Sequence, residues 1–143
     1  MAASASQIRS ALSTYLAAVT ELKGGAYVGR TAAFTGFPCA RFYLSAVQEE
    51  KENEDTAQNF RVYVYSIDII MSVQINGLAK SSSEGEFEDA VDAVMNKLRT
   101  EWTLGGIVES SSIEPSTVRY EESPQGVVVY LPITFFAKTL ISI

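Results

Sequence analysis

The sequence predicts an α+β fold: a four-stranded, mainly antiparallel sheet with two helices packed on one face and a long hairpin arm between strands 1 and 2. Three observations predict it. Residues 60–75, FRVYVYSIDIIMSVQI, alternate cleanly, with Tyr63, Tyr65, Ile67, Ile69, Met71, Val73 and Ile75 all apolar. Two other segments carry apolar residues at helical spacing. The chain closes on a run rich in β-branched and aromatic residues, GVVVYLPITFFAKTLISI. Side chains point alternately to the two faces of a strand, so residues 60–75 form a long central strand with one continuous core face. At 143 residues the chain reads as a single domain, 1–143, long enough to bury roughly 68–70% of its unfolded surface.

The first helix is expected over 6–23. Ile8, Leu12, Tyr15, Leu16, Val19 and Leu22 fall on one stripe, Ser4 or Ser6 can cap the start, and Gly24-Gly25 stops it. Residues 25–36 read as a glycine-punctuated loop. Its aromatics Tyr27 and Phe34 either tuck over the core or anchor another subunit, because aromatic side chains favour interface centres. Residues 37–47, FPCARFYLSAV, form the next strand, with Pro38 near its start.

Residues 48–59, QEEKENEDTAQN, hold Glu49, Glu50, Glu52, Glu54 and Asp55 against Lys51 alone, with no apolar residue larger than Ala57. This stretch reads as a long mobile arm joining two strands. It is either a solvated charge run or a segment that orders against a basic partner.

Ser83 and Glu86 have capping-box spacing at the start of a second helix that runs to about Trp102. Phe87, Val91, Val94, Met95, Leu98 and Trp102 make its stripe. Acidic residues crowd its first half and Lys97 and Arg99 its second, the polarity the helix dipole favours. After Gly105-Gly106, residues 107–122 read as one polar strand interrupted by Pro115, which belongs at an edge or a bulge. A turn at 123–126 leads to the last strand, where Pro132 again calls for a bulge or an unpaired position.

Composition excludes more than it assigns. Net charge is −6, from 17 acidic and 11 basic residues, which argues against a nucleic-acid groove lined with cations. Histidine is absent, which removes the commonest general base and the commonest metal ligand. The single cysteine, Cys39, sits among apolar residues and reads as a small buried hydrophobe. Glu88 and Asp92 lie one helical turn apart, but no further ligand pattern accompanies them. No Walker loop, GxGxxG, CxxC, HExxH or GxSxG is present. The expectation is no enzyme, no catalytic or metal site and no cofactor. The first fifteen residues lack the pattern of a signal peptide, and Pro132 and the β-branched content argue that 126–143 is a buried strand and not a membrane span.

Two helices can cover only one side of a single sheet. Val62, Val64 and Ile70, with Val128, Tyr130, Phe136 and Leu140, would then leave an apolar patch on the other side. Monomers rarely expose such a patch, so an oligomer is expected.

The pair FPCARFYLSAV–arm–FRVYVYSIDIIMSVQI, the helix FEDAVDAVMNKL and the closing SIEPSTVRYEESPQGVVVYLPITFFAKT together resemble the tail terminator, or tail-completion, proteins of long-tailed bacteriophages. The resemblance covers nearly the whole chain and lies in the order of elements. It implies a structural virion protein: a homo-oligomer, commonly a hexameric ring, that caps the head-proximal end of the tail tube and stops its polymerisation. The implied partners are the tail tube protein and a head-completion or connector protein, with DNA passing through the bore unbound. Localisation would be the virion tail or neck, assembled in the host cytoplasm. Tyr27, Phe34, Val62, Val64, Glu49, Glu50, Glu52, Glu54 and Asp55 are the candidate interface residues. The alternatives are another neck or tail component, such as a head-closure or tube protein, or a small acidic ligand-binding or enzymatic domain.

Overall fold

The computed structural model describes residues 3–29, 36–51, 59–74, 84–123 and 126–142. The element order is α1 (Ala5–Ala17), β1 (Ala26–Val28), β2 (Cys39–Lys51), β3 (Asn59–Gln74), α2 (Glu84–Thr100), β4 (Ser110–Pro115), β5 (Arg119–Ser123) and β6 (Gly126–Ser142). The sheet has six strands in the order β1-β2-β3-β6-β4, with β5 also paired to β6. The expected four-stranded sheet is therefore wrong, for two physical reasons.

The first is β1. Ala26–Val28 pairs parallel with Ala40–Phe42, and Gly29 N donates to Phe42 O at 2.8 Å. Three residues are too few to show a period, so the sequence reads as loop there. The second is the break at Pro115. Residues 107–122 form two short strands, both antiparallel to β6 and end to end along its outer side.

Pro132 explains the gap between them. It sits in register with Asp68 on one side, and its carbonyl accepts from Ser116 N at 2.9 Å on the other. A strand residue presents N and O to the same neighbour, so the donor that proline lacks falls where the outer strand is already interrupted. No bulge is needed at Pro132; the irregularities of the β3–β6 ladder lie at Asn59/Phe60 and Ser72/Gln74.

The acidic stretch also differs from expectation. Gln48–Lys51 continues β2 and pairs with Asn59–Val62. Backbone ladders form whatever the side chains, and here Glu49 stands opposite Arg61 and accepts from its Nη2 at 2.8 Å. The arm expected over 48–59 is thus strand at both ends; its middle, with Glu52, Glu54 and Asp55, lies outside the described residues, as does Phe34.

Both helices cover one face. Ile8, Leu12 and Leu16 of α1 and Phe87, Ala90, Val94 and Leu98 of α2 join one core with Phe42, Tyr65, Ile67, Ile69, Ile133 and Phe135 of the sheet. Burying such apolar surface contributes about 25 cal/mol per Å². Ser4 caps α1 through a reciprocal pair with Gln7. Its helix ends at Ala17, yet Val19 and Leu22 remain buried in the turns that follow. Ser83, expected to cap α2, lies outside the described residues. Lys23 forms an ion pair with Glu86 that ties those turns to the first turn of α2. Trp102, expected on the α2 core stripe, is past the helix end and 52% exposed. The helix instead stops through Leu104, Gly105 and Gly106, all at positive φ, and buried Leu104 takes the place of the tryptophan in the core.

Candidate functional site

The long strands give the sheet a second face over which the described residues place no helix. Register puts Cys39, Arg41 and Tyr43 of β2, Val62, Val64, Ser66, Asp68 and Ile70 of β3, and the even residues of β6 on it. This face was expected to expose apolar surface, and the outcome is divided: Val62 and Val64 are each 6% exposed and Ile70 is buried as well, whereas Val128, Tyr130, Phe136 and Leu140 of β6 are half-buried. Val62 is flanked in register by Gln48 and Lys138, and Val64 by Ala46 and Phe136, so the long middle strand is sheltered by side chains of both neighbours.

An ion-pair cluster occupies one end. Arg41 Nε donates to Asp68 Oδ2 at 2.8 Å, and its Nη2 lies 3.4 Å from Glu121 of β5. The same guanidinium lies 5.4 Å from the centre of the Tyr130 ring. Burial lifts the Asp68 carboxyl above its ordinary value, and Arg41 only partly offsets that. Burial works against the Arg41 charge, but the hydrogen bond and charge of Asp68, with Glu121 behind them, outweigh it and hold its pKa above the ordinary value. Burial pushes the neighbouring Cys39 thiol up to about 12, so it stays protonated and unreactive at neutral pH. The other end carries a groove of about 330 Å³ lined by Gln48, Val62, Ser110, Ser112, Phe136 and Lys138. Lys138 Nζ stands 4.4 Å over the Phe60 ring.

The most exposed apolar side chains lie off this face: Trp102 and Ile107 in the turns after α2, and two sets on the edges of the sheet. Val28, Leu44 and Val47 are exposed on the β1–β2 side, and Val118 and Tyr120 on the β5 side. Beside the first set, a groove of about 190 Å³ is lined by Ala5, Arg9, Val28, Phe42, Tyr43, Leu44 and Tyr65.

The candidate residues thus fall into three groups. Val62 and Val64 are buried at the centre of the helix-free face. Tyr27 is half-buried on β1, in register with Arg41. Glu49 is exposed and paired with Arg61, and Glu50 follows it in the ladder opposite Phe60. These do not converge on one point. What sequence reasoning missed is the pair of edge patches; the signal was present in VRYEE, where apolar and charged residues alternate on a short strand beside a turn.

Among the described residues, no group of three His, Cys, Asp or Glu side chains is placed to hold a metal ion, and no helix is long and apolar enough to cross a membrane. The chain matches no family model and no curated protein.

Proposed function

We propose that the chain is a structural subunit of a phage tail terminator: copies close into a ring that caps the tail tube at its head-proximal end, stops tube growth and meets the head connector while DNA passes. The observation that carries this reading is the pair of unlike apolar patches on opposite edges of one sheet, Val28, Leu44 and Val47 against Val118 and Tyr120. A two-fold dimer uses one self-complementary patch, whereas two different patches on opposite sides repeat head to tail, and such a repeat closes into a ring when the rotation between copies closes. The order of elements quoted above supports the family. The chemistry supports a role without catalysis, since the most buried ionisable pair, Arg41–Asp68, is mutually satisfied. In this reading the bore is acidic, in keeping with the net charge of −6 per copy, so that phosphates find no cation to bind.

Light scattering on the purified chain, followed by electron microscopy with tube protein, tests the proposal. The expected result is a closed ring that halts tubes at one end. Copies that themselves extend into filaments would mark a tube protein instead. A monomer that leaves tube length unchanged would overturn the proposal.

A further inference from the structure

Tyr120 is 72% exposed, more than any other large apolar side chain among the described residues. Its register partner, Val129, is buried in the core, so Tyr120 stands on the helix-bearing side of the β5 edge. Glu122, two residues on, shares that side and is exposed. The edge therefore presents a projecting aromatic ring with a carboxylate beside it.

The opposite edge carries the matching shape and charge. The groove between α1 and β2 holds about 190 Å³, below the roughly 300 Å³ of small-molecule pockets. That size suits a single inserted side chain. Its walls are Ala5, Val28, Phe42, Leu44 and Tyr65, and Arg9 is the one charged residue in its lining. Arg9 Nη2 donates to the Ser6 hydroxyl at 3.4 Å, and its charge also acts on the Tyr65 phenol beside it.

We infer that β5 of one copy docks in this groove of the next, with the Tyr120 ring set against the exposed Val28 and Leu44, above the buried Phe42 and Tyr65, and Glu122 meeting Arg9 at the rim. The inference rests on the ring reading above and names the contact that builds the ring. An aromatic anchor in a pocket with an ion pair at the border is the usual division of labour at an interface: the ring supplies affinity and the charges supply register. Because groove and anchor lie on opposite edges, each copy uses both, and the contact repeats in one direction around the assembly.

The test measures the mass of the full-length chain by light scattering across a dilution series. The variants are Tyr120→Asp, Arg9→Glu, Glu122→Arg and the double Arg9→Glu/Glu122→Arg. All three positions are exposed, so circular dichroism should show each variant folded; if Tyr120→Asp is not, Tyr120→Ser replaces it. The expected result is a ring for the wild type and a single chain for the Tyr120 variant. Each single charge reversal should raise the half-assembly concentration about tenfold, and the double reversal should restore it. A wild-type ring that survives the Tyr120 change and both single reversals overturns this contact and leaves the ring reading standing. A double reversal that fails to recover overturns the Arg9–Glu122 pairing. A wild-type chain that stays monomeric at every concentration overturns both.

Discussion

Arg41 and Asp68 form a buried ion pair on the sheet face that carries no helix, with the two side chains only 13% and 3% exposed. The pair is flanked by Glu121 and Arg119 from β5 and by Tyr43 from β2. Arg41→Met would leave the Asp68 carboxylate buried without its partner, at a cost of about 3 kcal/mol. Asp68→Leu together with Arg41→Met should cost less than the sum of the two single changes. Urea unfolding of the four proteins measures this; additive losses would show that the two groups do not act as a unit.

The same pair sets a pH dependence. Asp68 titrates above its ordinary value in the folded chain, so the native state holds its proton to higher pH than the unfolded state does. Stability contributed by the protonated form is complete below the unfolded value and is lost as pH rises through the folded one. Arg41→Met removes the group that opposes this shift. The variant should therefore lose more stability than the wild type as pH rises above the ordinary carboxylate range, and adding Asp68→Asn should flatten the difference. Equal pH profiles for the single variant and the wild type would contradict the assignment.

Tyr65 ties the first helix to the central strand, since its hydroxyl donates to Ala5 O at 2.8 Å. Tyr65→Phe keeps the ring in the core and removes only that bond. The expected loss is about 1 kcal/mol, read as a shift in the denaturation midpoint with an unchanged slope.

Two glycines should respond in opposite directions to alanine. A Cβ at Gly24 would overlap the Gly36 carbonyl, where the two backbones cross. Gly24→Ala should destabilise by about 2 kcal/mol through overpacking. A Cβ at Gly85 in α2 meets nothing within 4 Å. Gly85→Ala should stabilise by about 0.5–1 kcal/mol, because the unfolded chain loses freedom. Thermal melts of both variants compare the two directly.

Glu49 and Arg61 are cross-strand neighbours, and Glu49 Oε2 accepts from both Arg61 Nε and Nη2. Glu49→Lys places like charges opposite each other and should lower the melting temperature, whereas Glu49→Gln should leave it nearly unchanged. Equal melting temperatures would show that the ladder there ignores its side chains.

The elements that could be read from the chain were those with enough residues to show a period. Tyr63 to Met71 alternate for long enough to declare a strand, and Phe87, Val94 and Leu98 recur for long enough to declare a helix. β1 could not be read because Ala26–Val28 is held by a parallel neighbour distant in the chain. Gln48–Lys51 misled for a different reason: charged side chains on a strand exposed to water do not weaken its backbone pairing. Trp102 misled because Leu104 adopts a left-handed conformation, φ 51°, that nothing about leucine announces. The Arg41–Asp68 pair was invisible because its partners lie on different strands and become neighbours only through register. The edge patches were missed because exposure at a sheet border depends on strand order.

Pro132, with the break it enforces between β4 and β5, has a consequence for how the molecule behaves in a crowd. An uninterrupted border of seventeen residues along β6 would invite any other copy to zip onto it, layer after layer. Two short borders with a gap between them offer no such continuous template. The gap thus works against runaway fibre formation and leaves Tyr120 on its own short segment.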